Sequence, residues 1–204
     1  MKVTALIVAA GEGRRLGRGP KALLPIEGTT FLQRCIEGLL LPGVEDAVVV
    51  LGSEAERVQG ACPLPQRVRL VVNPRWRDGM LSSVLVGLDA AQDGAADAVL
   101  LHPVDSPFIA ATTVANVVAA LEGGARVAVP SFEGRRGHPT GFARDAWPAL
   151  RSAPPERGVR AVLQEHSEWV VHVEGDPGCL IDVDTSADAL PPRREATAAP
   201  SAPC

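Results

Sequence analysis

Residues 6–25 read LIVAAGEGRRLGRGPKALLP: an apolar run, then four glycines, two prolines and four cationic side chains. Extended back to Val3, the run has the unbroken apolar character of a strand buried on both faces. Gly11 and Gly13 follow at once, where a loop at the carboxyl edge of a sheet would lie. Glycine permits positive φ and lets backbone N–H groups approach a ligand closely. A row of such groups cradles an anion, and a helix N-terminus behind it adds its dipole. The metal-assisted phosphate loop GxxxxGK[ST] is not met, because Pro20 precedes Lys21 and Ala22 replaces the hydroxyl residue. The dinucleotide template GxGxxG is half met: Leu16 holds the third glycine's place, and AVVVLGS (47–53) lacks the ribose-binding acid. Arg14, Arg15, Arg18 and Lys21 suit a highly charged phosphate chain better than a pyrophosphate diester. The plain alternative is a glycine turn with a solvated basic face.

The rest of the chain is consistent with one domain around that loop. It has 204 residues, within the range of single domains. Its hydrophobic share is 46% with only 3% aromatics, which implies a Val/Leu/Ala core of parallel strands under helices. The net charge of −4 argues against nucleic acid as a partner. Cys35, Cys62, Cys179 and Cys204 form no close pair, so reduced thiols rather than a zinc site or disulfide framework are expected. There is no signal-peptide pattern and no apolar run of about 20 residues, so a cytoplasmic protein off the membrane is expected.

Strands are predicted at Val3–Ala9, Ala47–Leu51, Val68–Val72, Ala98–Leu101, Arg126–Pro130, Val170–Val173 and Leu180–Val183. Helices are predicted at Thr30–Leu41, Glu54–Gly60, Leu81–Gln92, Ala111–Glu122, Arg144–Ser152 and Val159–His166, with Thr30 as a cap and Gly43 and Gly94 as stops. This alternation specifies βαβ units and a mainly parallel α/β sheet with right-handed crossovers. From Pro191, PPRREATAAPSAPC has no apolar period and reads as a disordered tail. The domain is therefore placed at 1–190 and the tail at 191–204.

Four further stretches carry chemistry. AVLLHPVDSPFI (98–109) sets Asp105 just past a buried strand, where a lone carboxylate beside a phosphate loop suits Mg²⁺; a turn opened before Pro107 is the alternative. In CLIDVDTSADAL (179–190), Asp182 and Asp184 fall on one side of a strand by the period-two rule, and Asp184 as a helix cap is the competing reading. NPRWRDGMLSSVLVGL (73–88) places Gly79 and Ser83 ahead of an amphipathic helix, able to read a base edge, or simply forming a loop capped by Ser82. SFEGRRGHPTGF (131–142) makes a second cationic spot from Arg135, Arg136 and His138, suited to a phosphate monoester. A structural histidine is the alternative there.

Read together, these residues resemble a known family. AAGEGRRLGRGPKALLPIEG (9–28) is similar to the signature of MobA-related nucleotidyltransferases of the GT-A-like type, with one extra residue between Gly17 and Lys21 and Leu16 where methionine is usual. The resemblance implies a single-domain, three-layer α/β/α sandwich with a mainly parallel, Rossmann-like sheet. It implies a nucleoside triphosphate held by Ala9, Ala10, Gly11, Gly13, Arg15, Lys21, Gly79 and Ser83, with Arg15, Lys21 and Asp105 as catalytic groups. Asp105 in Asp-Ser-Pro resembles the family's metal motif. DVDTSAD resembles its C-terminal acidic stretch, although Ser186 and Ala187 replace Pro-Glu; Asp184 is favoured over Asp182 as second Mg²⁺ ligand. RGHPTGF resembles the acceptor segment of molybdenum cofactor cytidylyltransferases, which implies acceptor contacts from Arg136 and His138, and GVRAVLQEH with Arg160 resembles the helix after it. Ala9–Ala10–Gly11 leans toward cytidine rather than guanosine nucleotides.

The implied reaction is transfer of CMP from CTP to the terminal phosphate of an organic acceptor, molybdopterin in the nearest resemblance, with a molybdoenzyme or its chaperone as a possible partner. A phosphate nucleophile, with a second pKa of about 6, needs no Ser/His/Asp machinery. The rival readings are a sugar or alcohol phosphate as acceptor, an NAD(P)-dependent oxidoreductase, and a non-catalytic chaperone.

Overall fold

The computed structural model describes residues 1–13 and 19–183. Arg15, Asp184 and the expected tail at 191–204 therefore lie outside the described residues.

The first apolar run forms β1 (Val3–Ala9), and all seven of its residues are buried. A strand with no wet face needs cover on both sides, and the chain supplies it in alternation. After the loop come a short hairpin of β2 (Pro25–Ile26) and β3 (Thr29–Thr30), α1 (Phe31–Leu39), β4 (Asp46–Leu51), α2 (Ala55–Ala61), β5 (Val68–Val72) and α3 (Met80–Asp93). Then follow β6 (Ala98–Pro103), α4 (Ala111–Glu122), β7 (Val127–Phe132), β8 (Arg135–Arg136), β9 (Thr140–Ala143), α5 (Trp147–Ser152), α6 (Val159–Glu165) and β10 (Val170–Glu174). Thr30 caps α1 in a reciprocal box with Gln33: its hydroxyl accepts from the Gln33 N–H, and the Gln33 side chain accepts from the Thr30 N–H.

The main sheet runs β10-β7-β9-β6-β1-β4-β5, with β8 paired to β7. β1 is parallel to β4 on one side and to β6 on the other. The chain thus winds outward from β1 and returns across it, which makes the carboxyl ends of β1 and β6 a switch point where a crevice opens. Period-two alternation sorts the core. Val3, Ala5, Ile7 and Ala9 pack with α1 and α4, while Leu6 and Val8 pack with α3 and α5. Gly87 lets α3 settle on β1, since a Cβ there would collide with Leu6. Among the described residues no helix is long and apolar enough to cross a membrane.

Three differences from the expected elements have physical causes. Leu180–Val183 is not a strand: Pro177–Leu180 is a 3₁₀ turn whose start is capped by Asp176, and residues 181–183 have no regular structure. β9 was not foreseen because TGFA has little strand propensity of its own. It exists by pairing antiparallel with both β6 and β7, with Gly141 against Val117 and Leu121 of α4. Gly43, expected to stop α1, lies in the turn beyond it at φ +94, and α1 ends at Leu39.

Candidate active site

The glycine loop leaves β1 from Ala9 and Ala10, both buried. Gly13 adopts φ +63, and a Cβ on it would come within 2.8 Å of the Gly19 carbonyl oxygen, so the loop closes on itself only with glycine there. Gly11 has open space around its Cα, which leaves backbone exposed to the cleft. Pro20 then starts a 3₁₀ turn at Lys21–Leu23, with Leu24 N–H donating to the Lys21 carbonyl (3.1 Å) and Ala22 buried beneath. That turn carries Lys21 over the end of β6. There the Val104 N–H donates to the Val8 carbonyl (3.1 Å), and the chain turns through Asp105. The Lys21 ammonium donates to Asp105 Oδ2 at 3.0 Å.

The pair sits in a cleft of about 660 Å³. Of the residues expected to bind nucleotide, Ala10, Gly11, Gly13, Lys21, Gly79 and Ser83 line it together with Asp105. Ala9 lies beneath, its side chain in the core on the α1/α4 side. The far wall is the turn into α3. Gly79 holds it at φ +102 and ψ 173, a conformation reserved almost entirely for glycine. Asn73, buried just past the end of β5, braces this wall from behind and has no role in the sequence reading. Its Nδ2 donates to Ser82 Oγ (2.9 Å) and Ser83 Oγ (3.0 Å), and its Oδ1 accepts from the Arg75 N–H (2.9 Å). The Ser82 hydroxyl donates back to the Gly79 carbonyl (2.8 Å) rather than capping α3. Arg77 reaches across the mouth to Glu12 (3.8 Å) while its guanidinium lies 4.4 Å over the Trp76 ring.

The hairpin β7–β8 turns through Glu133 and Gly134, both at positive φ, and projects Arg135 and Arg136 into solvent. Gly137 and His138 are then tied inward, with the His138 N–H donating to the Cys179 carbonyl at 2.9 Å. Arg136 and His138 line a second cavity of about 880 Å³, walled by α6 with Arg160. The two cavities are neighbours: Val8, Met80 and Pro103 line both. Met80, with 61% of its surface exposed, is the flexible member of that shared wall and had no role in the sequence reading. Burial pushes the His138 imidazole pKa down, against the opposing pull of Asp182 and Asp105. His138 is therefore near both carboxylates.

Asp182 approaches Asp105 through the chain crossing below. Ser106 Oγ donates to Asp182 Oδ1 at 2.5 Å, and the Val183 N–H donates to the Asp105 carbonyl at 2.7 Å. Asp182 thus reaches the site through an irregular segment, and Asp184 lies outside the described residues. Among the described residues there is no group of three or more His, Cys, Asp or Glu able to hold a metal ion. Two hard carboxylates next to a phosphate-sized cleft nonetheless fit a hard divalent cation that takes its other oxygens from phosphate and water.

Residues 5–169 match the model of the MobA-like NTP transferase domain. The chain belongs to that family. Nicotine blue oxidoreductase of Paenarthrobacter nicotinovorans is 36% identical over 90% of this chain and 92% of its own length. The 2-C-methyl-D-erythritol 4-phosphate cytidylyltransferase of Rhodococcus opacus is 40% identical over 63% of this chain, and the match spans 55% of that enzyme. The molybdenum cofactor guanylyltransferase of Cereibacter sphaeroides is 35% identical over 72% of this chain and 70% of its own. Among solved structures, Rv0371c of Mycobacterium tuberculosis superimposes with a TM-score of 0.78 at 26% identity, covering 92% of this chain and 96% of that one. A manganese complex of the same mycobacterial protein aligns at 0.70 and 25% identity over the same shares. The MobA-like fold is thus shared across relatives whose names give different substrates.

Proposed function

We propose that this protein is a Mg²⁺-dependent nucleotidyltransferase that moves CMP from CTP to the terminal phosphate of an organic acceptor, with molybdopterin as the acceptor of choice. The observation that carries the reading is the Lys21–Asp105 pair at 3.0 Å, standing in a glycine-loop cleft that shares lining residues with a second, arginine-bearing cavity. Two polyanions must be brought into line, so the chain's task is positioning and charge neutralisation. The loop N–H groups from Ala10 to Gly13 hold the triphosphate, Lys21 neutralises the α-phosphate and the leaving pyrophosphate, and Arg15 adds a phosphate contact. Gly79 and Ser83 border the base and ribose. Asp105, with Asp182 or Asp184, would hold Mg²⁺, which would supply positive charge to offset that of the phosphates. Arg136 and His138 receive the acceptor phosphate, whose oxygen is already ionised at neutral pH.

The second cavity supports an acceptor with an apolar body. Its floor is Val8, Leu81, Leu101, Val129 and Leu163, with the arginines at its rim. Small polyol phosphates would leave that floor uncovered and their hydroxyls unmatched. The Ala9–Ala10–Gly11 start supports CTP. A cytoplasmic, single-domain enzyme that passes its product to a molybdoenzyme or its chaperone completes the reading.

The test is pyrophosphate release with each NTP and a panel of acceptors, with and without Mg²⁺. Turnover with CTP and molybdopterin is expected; absence of release with every pairing overturns it. A second reading has one observation in its favour, the relative named an oxidoreductase that matches 90% of the chain. It predicts metal-independent NAD(P)H consumption and no response to CTP.

A further inference from the structure

His102 is fully buried on β6, three positions before Asp105, and the proposed reaction has so far given it no task. Its Nε2 lies 2.8 Å from the Ser106 carbonyl oxygen. A carbonyl only accepts, so Nε2 carries the proton and Nδ1 presents a lone pair. Among the described residues that Nδ1 is buried and unpaired, and so is Nδ1 of His138, whose ring meets His102 edge-on with centroids 6.1 Å apart. Two orphaned ring nitrogens in a core are costly, and a leucine like its neighbours Leu100 and Leu101 would fill the strand position without that cost. What the imidazole supplies is an N–H aimed at the backbone of the Asp105 turn. Ser106 passes the restraint on: its hydroxyl donates to Asp182, and the following Val183 N–H donates to the Asp105 carbonyl.

We infer that His102 is a positioning residue, holding the Asp105–Ser106 turn in register with Lys21 on the nucleotide side and with His138 on the acceptor side. Side chains that orient a metal-binding carboxylate from behind are worth roughly 10- to 100-fold in metal affinity or activity. The role rests on the nucleotidyltransferase reading for its kinetic consequence, but its effect on metal binding can be measured without turnover.

The test compares His102→Leu, which removes the donor and keeps an apolar side chain, with His102→Gln, whose amide N–H reaches about as far. Three quantities are read for each: Mn²⁺ binding by electron paramagnetic resonance with and without CTP, kcat and KM for pyrophosphate release, and melting temperature. His102→Leu is expected to weaken Mn²⁺ binding and lower kcat by about tenfold or more, with KM for CTP nearly unchanged, and His102→Gln to restore both. If His102→Leu does not fold, His102→Asn takes its place, since its shorter amide cannot reach the Ser106 carbonyl. A folded donor-less variant with normal Mn²⁺ binding overturns the inference, as does equal impairment by glutamine. Wild-type protein that binds Mn²⁺ but releases no pyrophosphate sinks the proposed function instead, and the Mn²⁺ comparison still decides His102.

Discussion

The Lys21 ammonium and the Asp105 carboxylate meet at 3.0 Å although 84 residues separate them in the chain. Each is delivered by a short rigid element, the Pro20-initiated 3₁₀ turn and the end of β6. Their side chains keep 16% and 28% of their surface exposed, so water and ligand both reach the pair. Such a pair is worth about 0–1 kcal/mol to stability. Lys21→Ala and Asp105→Ala should therefore melt close to the wild type, yet lose on the order of 100- to 1000-fold in kcat, the usual effect of removing one charge-stabilising group. Steady-state pyrophosphate release with calorimetry checks both, and near-normal turnover in either variant rejects the assigned roles.

Gly79 shows a conformational rather than a steric requirement. A Cβ there meets nothing within 4 Å, but φ +102 with ψ 173 is a region that side chains avoid. Gly79→Ala should cost about 1–3 kcal/mol of stability and raise KM for the nucleotide, because the turn it shapes is the cleft's far wall. An unchanged melting temperature would show that the turn relaxes freely.

Acid stability should carry the signature of the buried histidines. Burial, with His138 close by, lowers the His102 pKa to about 3, and His138 is lowered as well. Unfolded imidazole titrates near 6.5, so between these values the unfolded chain holds more protons than the folded one. Stability contributed by the neutral form is complete above about pH 6.5 and is lost as pH falls toward 3. His102 adds a slope of up to about 1.4 kcal/mol per pH unit in that window, and His138 acts in the same direction. Carboxylate titrations cancel in the difference between wild type and His102→Gln, so the stability of the wild type relative to that variant, read from urea melts, should fall steadily as pH falls from 6.5. Parallel curves would contradict the buried neutral state.

Arg136 lines the second cavity, which is proposed to take the acceptor, and is not among the residues that line the glycine-loop cleft. Arg136→Ala should raise the acceptor KM by roughly tenfold, the loss of one exposed charge-assisted contact, and leave CTP binding by calorimetry unchanged. A change in CTP affinity instead would move this arginine to the nucleotide.

Much was legible from local pattern because the governing interactions are local. β1, β5 and α4 have the bounds that apolar runs and helical periodicity assign them, and Thr30 caps α1 through a partner three residues on. Gly13 was readable too, since a glycine just past a buried strand marks a tight loop. Asn73, Met80 and His102 were not. Their meaning depends on Ser83, on two cavities meeting, and on a carbonyl and a second histidine that only the folded sheet brings near. β9 and the segment at 181–183 follow the same rule, the first a strand only because β6 and β7 flank it, the second irregular because Ser106 and Asp105 anchor it. Periodicity and backbone freedom, both local properties, were enough to specify the α/β alternation and the glycine turn after β1. The tertiary structure alone decided which charges face each other, because strand order and the turn angles at strand ends are set by pairing between residues far apart in the chain.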